Sequence, residues 1–431
     1  MCRSFLLVVT LCLSLLPPPV LADEYSPGVG MTFPKDVFFG DLHLHTNKSA
    51  DAFSMGNRGL DAVDAYRFAR GEEVITSNGL RAQLKRPLDF LAITDHSEFL
   101  GFYLEFYNKN PVLMNSSLGK RWTQISEAGE STMSDFPNSI LEPDPVKYAE
   151  PQRLRRSIWT DVTKVADEFN DPGTFTTFSA YEWTSMTGGN NLHRCVIFLD
   201  DSATVSRVLP YTSQLSLNPE DLWRALEFYE KTTGGRVMAI PHNSNVSNGM
   251  MWDLKTLSGE AISADYASTR MRWEPVAEVT QIKGDSETHP LLAPTDEFAD
   301  FERWDKYNIM NTVETTPEML PGSYARSALQ RGLAIKQDVG VNPYKFGMIG
   351  STVNLQEATY SNSIGEAQLE AEWTDPDFDP DQDAFYYARV IEIPTPRWTV
   401  RDEKFFDFEA PDEAPTTVQD RAYSSPIWYS P

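Results

Sequence analysis

The sequence is poor in cysteine. Its 431 residues include three cysteines, and two of them, Cys2 and Cys12, lie close to the N-terminus. If an N-terminal segment containing both is removed, Cys195 is the only thiol left and the chain can form no internal disulfide. Stability must then come from the size of the hydrophobic core or from bound metal.

Positive charge is also scarce, with 37 Lys and Arg residues against 62 Asp and Glu and a net charge of −25. Such a surface repels polyanions, which argues against nucleic acid or anionic lipid as the main partner, whereas cationic metals remain compatible. Beyond the N-terminal segment, no apolar run approaches membrane-spanning length. The hydrophobic fraction of 41% is that of a packed globular protein, and it leaves the oligomeric state open.

The N-terminal segment has the pattern of an export signal. Arg3 precedes an apolar run over residues 5–16, and small residues ending at Ala22 precede Asp23. This pattern predicts a signal peptide over residues 1–22 and therefore a periplasmic or secreted protein, with no stable membrane association after cleavage. An uncleaved membrane anchor is the alternative.

The remaining sequence alternates short apolar runs with helical patterns, which predicts an α/β fold with a parallel sheet flanked by helices. The expected strands cover residues 37–45, 90–94, 174–183, 195–199, 237–240 and 346–350. Helices are expected over residues 155–170, from Pro219 to the Gly234-Gly235 pair, and over residues 324–331 before Gly332.

Histidine is a third scarce residue type, and the chain has six. Five of them lie at the ends of expected strands, and two carboxylates accompany them; these residues are His43, His45, His96, His193, His242, Asp51 and Glu182. His43 and His45 face the same side of their strand because side chains alternate along it. A single histidine at such a place is more often a hydrogen-bonded structural residue, but five of six indicate a common metal site. Imidazole and carboxylate ligands suit Zn²⁺, Mn²⁺ or Fe²⁺, and strand ends of an α/β barrel open on one mouth.

Four polar residues are candidates for substrate binding near this mouth. Arg194 and Asn243 directly follow two of the histidines. Lys283 and Glu287 lie in a polar segment that could reach the mouth, although a surface loop is an equally good interpretation. The predicted substrate is a small molecule.

Five short motifs together resemble one known family, the bacterial domain-of-unknown-function family 3604. This family is a branch of the PHP (polymerase and histidinol phosphatase) superfamily of metal-dependent phosphoesterases. The motifs are GDLHLHT at 40–46, ITDHSE at 93–98, YEWT at 181–184, NNLHR at 190–194 and IPHNSN at 240–245.

The resemblance implies a distorted (βα)7 barrel over residues 23–352 that holds two or three divalent ions and hydrolyses phosphate esters. It implies that His43, His45, Asp51, His96, Glu182, His193 and His242 are the metal ligands. It also implies catalytic roles for Glu182, as a bridge between two ions, and for Asp95, as a residue that orients a ligand histidine.

One motif departs from the family pattern. After residues 346–352 the family continues with Asp-Thr-His, whose first and last residues bind metal, whereas this chain has Val353, Asn354 and Leu355. The resemblance also implies that a longer region of the family is missing, so the barrel is expected to be incomplete near its C-terminal end. Residues 353–431 would then form a shortened segment that packs back on the barrel. Fewer ions are expected as a result, and a degenerate, non-catalytic barrel with a partial metal or ligand site is the alternative function.

Overall fold

The computed structural model describes residues 37–351, 371–411 and 414–431. The expected signal peptide at 1–22 and the replaced motif at 353–355 lie outside the described residues. None of the helices that the structure describes is both long enough and apolar enough to cross a membrane.

The strands of the described residues are short, and many of the helices between them are long. In chain order the strands are β1 Gly40–Leu44, β2 Val74–Ile75, β3 Arg81–Ala82, β4 Phe90–Ile93, β5 Thr176–Phe178, β6 Ala180–Trp183, β7 Arg194–Phe198, β8 Val237–Pro241, β9 Val276–Gln281, β10 Gly284–Asp285, β11 Gly347–Gly350, β12 Ala384–Tyr386, β13 Arg389–Ile391, β14 Thr395–Pro396, β15 Thr417–Val418, β16 Arg421–Tyr423 and β17 Ile427–Tyr429. The helices are α1 Ala50–Ser54, α2 Ala62–Ala69, α3 Phe102–Tyr107, α4 Pro111–Met114, α5 Ser117–Glu127, α6 Asp135–Leu141, α7 Gln152–Phe169, α8 Ser202–Val205, α9 Pro219–Thr233, α10 Ala264–Trp273, α11 Ala325–Val339 and α12 Trp398–Phe406.

Two of the expected helices are confirmed, together with the local chemistry that begins and ends them. Helix α7 buries Ile158 and Val162 on one face. Helix α9 begins at Pro219, and the side chain of Asn218 accepts a hydrogen bond from the backbone N–H of Glu220. It ends at Gly234, which has a φ of 77°, a conformation that glycine adopts at little cost.

The helix expected to stop at Gly332 instead continues to Val339, and the left-handed residue after its end is Gly340. Gly332 is buried in the middle of α11, where a Cβ atom would collide with the side-chain oxygen of Asn342 and contact the Cβ of Tyr344. The prediction was wrong because this glycine permits close packing of the helix and does not terminate it.

Replacing Gly332 with Ala is therefore expected to destabilise the protein, although the same change in an exposed helix stabilises it by ~1 kcal/mol. Overpacking against Asn342 should outweigh that gain, since inserted methyl groups typically cost about 1–3 kcal/mol. Urea unfolding measures the effect, with Gln330→Ala at an exposed position of the same helix as the control. A higher free energy of unfolding for the glycine variant would contradict the packing argument.

Parallel pairing is found in part of the fold. Strands β1, β4 and β5 form a parallel sheet in the order β1-β4-β5, and β9 pairs with β11 in parallel. Strands β6, β7 and β8 pair antiparallel, so the expectation of a parallel sheet throughout was wrong. The physical reason is the short connection at residues 184–193, since a parallel crossover needs a dozen or more residues.

The reversed direction of β7 decides which side chains meet. A parallel bridge between His96 and Glu182 joins the carboxyl end of β4 to that of β6. Because β7 runs the other way, its beginning, not its end, lies at this edge, and Arg194 pairs with Trp183 and with Pro241. The residues after β1, β4, β6 and β8 and the residue before β7 therefore share one edge.

An apolar cluster lies on the inner side of these strands. It contains side chains from β1, β4 to β9 and β11, namely Leu42, Ala92, Phe178, Ala180, Cys195, Ile197, Met238, Ile240, Val276 and Ile349. A larger aromatic core packs between the strands and the helices on one side, around Trp159, Tyr181 and Trp223. The strands that form the shared edge therefore pack against two apolar clusters.

The C-terminal residues form three antiparallel pairs, β12 with β17, β13 with β16 and β14 with β15. Long side chains connect them to β10 and to the segment after it: Arg389 lies 2.9 Å from Glu287, and the Tyr423 hydroxyl donates to Asp285 at 2.7 Å.

Candidate metal centre

The first part of the site is the end of β1, where His43 and His45 face the same side. Their Nε2 atoms lie 3.1 Å apart, and both side chains are buried. The Nδ1 atom of His45 lies 2.9 Å from Asp51 Oδ1, because the short helix α1 turns the chain back toward the strand. His96, after β4, lies with its Nε2 atom 3.5 Å from the other oxygen of Asp51.

Glu182 lies at the middle of the site and is 1% exposed. Its Oε1 atom lies 2.6 Å from His193 Nδ1, 3.3 Å from His242 Nε2 and 3.5 Å from His96 Nδ1. Its Oε2 atom lies 3.0 Å from His45 Nε2 and 3.4 Å from His43 Nε2. The structure thus brings five imidazoles around one carboxylate, as the sequence pattern predicted.

Backbone contacts hold the later part of the site in place. The side-chain amide of Asn191 donates to the carbonyl oxygens of His242, at 2.6 Å, and Asn243, at 3.1 Å. The backbone N–H of His242 donates to the carbonyl oxygen of His193 at 3.4 Å. The two loops that carry these histidines are therefore tied to each other.

The donor atoms fit a divalent cation. Three overlapping groups each place all their ligand atoms within 4.8 Å of one another: His43, His45 and Glu182; His45, Asp51 and His96; Glu182, His193 and His242. Two imidazole nitrogens 3.1 Å apart repel each other unless a proton or a cation lies between them. The Nε2 atom of His193 is buried and has no hydrogen-bond partner among the described residues. A cation would satisfy both observations.

Electrostatics favour the ligating protonation state at Glu182 and His242, but not at His45: burial lowers the pKa of His45, and the charge of Asp51 and the contacts with Glu182 outweigh burial and raise this pKa to about 9. Burial raises the pKa of Glu182, but the charges of His96, His242 and His193 outweigh it and hold the pKa well below its usual range. Burial, together with the charge of His43, lowers the pKa of His242 to about 3. Glu182 is therefore anionic and His242 neutral at physiological pH, which are the forms that bind metal.

Asp95 acts beside the ligands. Its carboxylate accepts hydrogen bonds from the backbone N–H of Thr46 at 2.5 Å and from the Thr46 hydroxyl at 2.7 Å. Thr46 directly follows His45 in the chain. Asp95 thus fixes the backbone next to a candidate ligand, and these two hydrogen bonds join it to Thr46 and not to a histidine ring.

Two of the four substrate-binding candidates lie away from the histidine cluster. Arg194 points to the opposite face of β7, where its Nε atom lies 3.0 Å from Glu274. The side chain of Arg194 is 1% exposed. Glu287 is buried and binds Arg326 at 2.6 Å and Arg389 at 2.9 Å. Both residues were expected to bind substrate, but the structure places them in ion pairs. Strand alternation turns Arg194 to the opposite face of β7, and Glu287 pairs with arginines that are distant in the sequence.

The other two candidates lie beside the cluster. Asn243 follows His242 in a left-handed conformation with a φ of 49°, and its side-chain oxygen accepts a hydrogen bond from Gln281 at 2.5 Å. Lys283 is half-buried, and its positive charge is one of the influences, after burial, that lower the pKa of His193. Lys283 is therefore close enough to act on an anion bound at the site.

A family model described as "Protein of unknown function (DUF3604)" matches residues 32–353 and 351–431. The chain belongs to this family. None of the curated proteins compared matches the chain. The two matched segments of this DUF3604 protein overlap at residues 351–353.

Two buried residues of this DUF3604 chain were missed by sequence reasoning. Glu278, in the middle of β9, lies 3.0 Å from His43 Nδ1, and Cys195 Sγ lies 3.6 Å from His242 Nδ1. Glu278 could have been recognised as a lone charge between Ala277 and Val279 in an apolar strand, since a buried carboxylate needs a partner. Cys195 gave no such signal because free cysteine is commonly buried as a small hydrophobic residue.

Proposed function

We propose that this DUF3604 protein is an exported, metal-dependent hydrolase of phosphate esters, related to the PHP superfamily. The observation that carries the proposal is the position of Glu182, whose two oxygens lie within 3.5 Å of nitrogen atoms from five histidines. A carboxylate so placed suits a bridge between cations. A glutamate is almost never fully buried unless it is paired, so this carboxylate needs a positive partner such as a cation.

The proposed fold is a distorted (βα)7 barrel that is incomplete near its C-terminal end. Its support is the inner apolar cluster, which draws side chains from β1, β4 to β9 and β11 and so resembles the packed interior of a barrel. Among the described residues, β1 pairs with β4 and β11 pairs with β9, so each has one edge without a partner strand. The gap between these two edges is where a missing region would lie.

The roles of the residues follow from their positions. His43, His45, Asp51, His96, Glu182, His193 and His242 would hold one or more ions of zinc, manganese or iron. A bound divalent ion supplies Lewis acidity toward a phosphoryl oxygen and toward water. Lys283 would attract the anionic ester, and Asn243 would orient it through its amide. The small-molecule substrate enters from the edge that carries the histidines.

Export is proposed from the sequence. The charged and apolar pattern of residues 1–22 is typical of a signal peptide, and a periplasmic or secreted location follows from it. With a net charge of −25, nucleic acid is an unsuitable partner.

A degenerate barrel that binds metal or ligand without turnover is the second candidate. The observation that favours it is the replacement of the family's Asp-Thr-His by Val353, Asn354 and Leu355, since valine and leucine have no ligand atoms. This candidate differs from the first in binding at most one ion and showing no hydrolysis with any divalent metal.

Hydrolysis of an aryl phosphate ester tests the proposal. We expect release of the phenol with Mn²⁺ or Zn²⁺ and its loss on chelation, because the ester must be polarised by the cation. His193→Asn should reduce the rate at least ~10-fold, as loss of a ligand exceeds the ~10–100-fold effects of changes around the ligands.

The matched control is His289→Asn. His289 is the one histidine outside the cluster; its Nε2 atom lies 2.8 Å from Asp305 and it is also buried. This variant should keep both metal content and rate. If purified protein holds metal but hydrolyses no phosphate mono- or diester with any of several divalent ions, the hydrolase proposal is wrong and the second candidate stands.

A further inference from the structure

Two histidines of the metal centre have a second nitrogen that faces another group of potential ligands. The Nε2 atoms of His43 and His242 point toward Glu182, at 3.4 Å and 3.3 Å. Their Nδ1 atoms face the interior of the fold, toward Glu278 at 3.0 Å and Cys195 at 3.6 Å respectively. The rings of the two histidines lie 4.2 Å apart, so these inner nitrogens are neighbours.

The inner group has the geometry of a ligand set. Donor atoms of His43, Cys195 and His242 all lie within 4.8 Å of one another, and the three residues are buried. All three belong to regular strands or their immediate ends, β1, β7 and β8, so the backbone holds their spacing. Cys195 faces the same side of β7 as His193, two residues earlier, by strand alternation.

Glu278 gives an independent indication of a cation. Its side chain is 1% exposed, one oxygen lies 3.0 Å from His43 Nδ1, and the carboxylate also interacts with the hydroxyl of Ser351. Its charge also acts on Cys195 and on His242. A buried carboxylate is costly unless its charge is balanced, and a cation held by His43, Cys195 and His242 would balance it.

We infer that His43, Cys195 and His242 form an inner metal site, distinct from the group centred on Glu182, with Glu278 beside His43 as its counter-charge. Its ligands are one sulfur and two nitrogens, a set that suits Zn²⁺ or Co²⁺ and disfavours Mg²⁺ and Mn²⁺. Binding releases the thiol proton of Cys195 to solvent. If His43 and His242 bind the inner ion through Nδ1, the seven ligands of the proposed function divide into two sets, and His45, Asp51, His96, Glu182 and His193 form the harder set of the outer group.

The inner site predicts a spectroscopic difference that does not depend on any catalytic activity. Co²⁺ bound through a thiolate has a sulfur-to-metal charge-transfer absorption in the near ultraviolet, and imidazole and carboxylate ligands do not give it. We expect this band when Co²⁺ is titrated into the metal-free full chain. Cys195→Ser should remove it and lower the number of bound Co²⁺ ions by one, with Mn²⁺ binding unchanged.

His193→Asn is the matched control, because His193 faces Glu182 and not the inner group. It should keep the charge-transfer band while it weakens Mn²⁺ binding. A second inner-site variant, Glu278→Gln, should weaken Co²⁺ binding at least ~10-fold.

Two results would overturn the inference: no charge-transfer band in the parent protein, or a band that persists in Cys195→Ser. In either case Glu278 and Cys195 would serve only to hold the Nδ1 atoms of the two histidines. Both results can be read from the parent or from well-folded variants, and neither bears on whether phosphate esters are hydrolysed with Mn²⁺.

Discussion

Glu182→Gln is expected to lower the affinity for divalent metal by at least about 100-fold, since groups that merely support metal ligands already contribute ~10–100-fold. The substitution keeps the shape of the side chain and removes its charge. Among the described residues, Glu182 is the single carboxylate that lies within 3.5 Å of nitrogens from His43, His45, His96, His193 and His242. Without it, the five imidazoles would lose the carboxylate charge at their centre, which is the charge that favours a cation among them.

Competition with a chromophoric chelator measures this affinity, and elemental analysis of the purified variant measures its metal content. Glu150→Gln is the appropriate control because Glu150 is also a buried glutamate, 3.4 Å from Arg155 and outside the cluster. Burial raises the pKa of Glu150 to about 7, so that glutamine imitates a protonation state it already adopts. Equal metal affinity in the Glu182 variant and the parent would show that Glu182 is not a ligand.

The convergence of the histidines could be predicted because strand geometry determines it locally. Alternation places His43 and His45 on one face whatever the rest of the fold does. His96, Glu182 and His242 lie at or after the carboxyl ends of β4, β6 and β8. These strands run in the same direction, because β7, which lies between β6 and β8, is antiparallel to both, so their carboxyl ends share one edge. These positions needed no knowledge of distant contacts.

The direction of β7 was not anticipated, although it places His193 at the site. A connection of ten residues between β6 and β7 leaves no room for a helix, so its length already carried the information. Glu278 was missed for a different reason. Its role depends on β9 lying next to β8, and no local pattern reports which strands are neighbours.

Arg194 and Glu287 were assigned to substrate because each follows a conspicuous motif or lies in a polar segment. Their partners, Glu274 and Arg389, are 80 and 102 residues away in the sequence. Pairing over such distances depends on the complete fold. A charged residue beside a metal ligand is thus a weak predictor of substrate binding until its own partner is known.

Replacing Glu274 with Ala is expected to lower the free energy of unfolding by about 3–5 kcal/mol, the usual effect of removing one partner of a buried ion pair. Glu274 is 3% exposed and lies 3.0 Å from the Nε atoms of both Arg194 and Arg270. It also accepts a hydrogen bond from Trp223 at 2.9 Å. Its loss would leave two guanidinium groups in the core without a counter-charge, and urea unfolding at neutral pH would measure the effect.

Glu230→Ala is the matched control, because Glu230 pairs with Arg272 at 2.6 Å, a shorter distance, while the side chain of Arg272 is 55% exposed. Solvent screening should limit that effect to at most ~1 kcal/mol. If Arg194 instead binds substrate, the Glu274 variant should unfold at the parent's urea concentration, and the Michaelis constant should change. Comparing the two glutamate variants therefore shows whether the loss of unfolding free energy depends on the burial of the ion pair or on the distance between its charges. It also decides whether the arginine that follows His193 belongs to the core, where its guanidinium lies under Trp183, or to the chemistry on the other face of the strand.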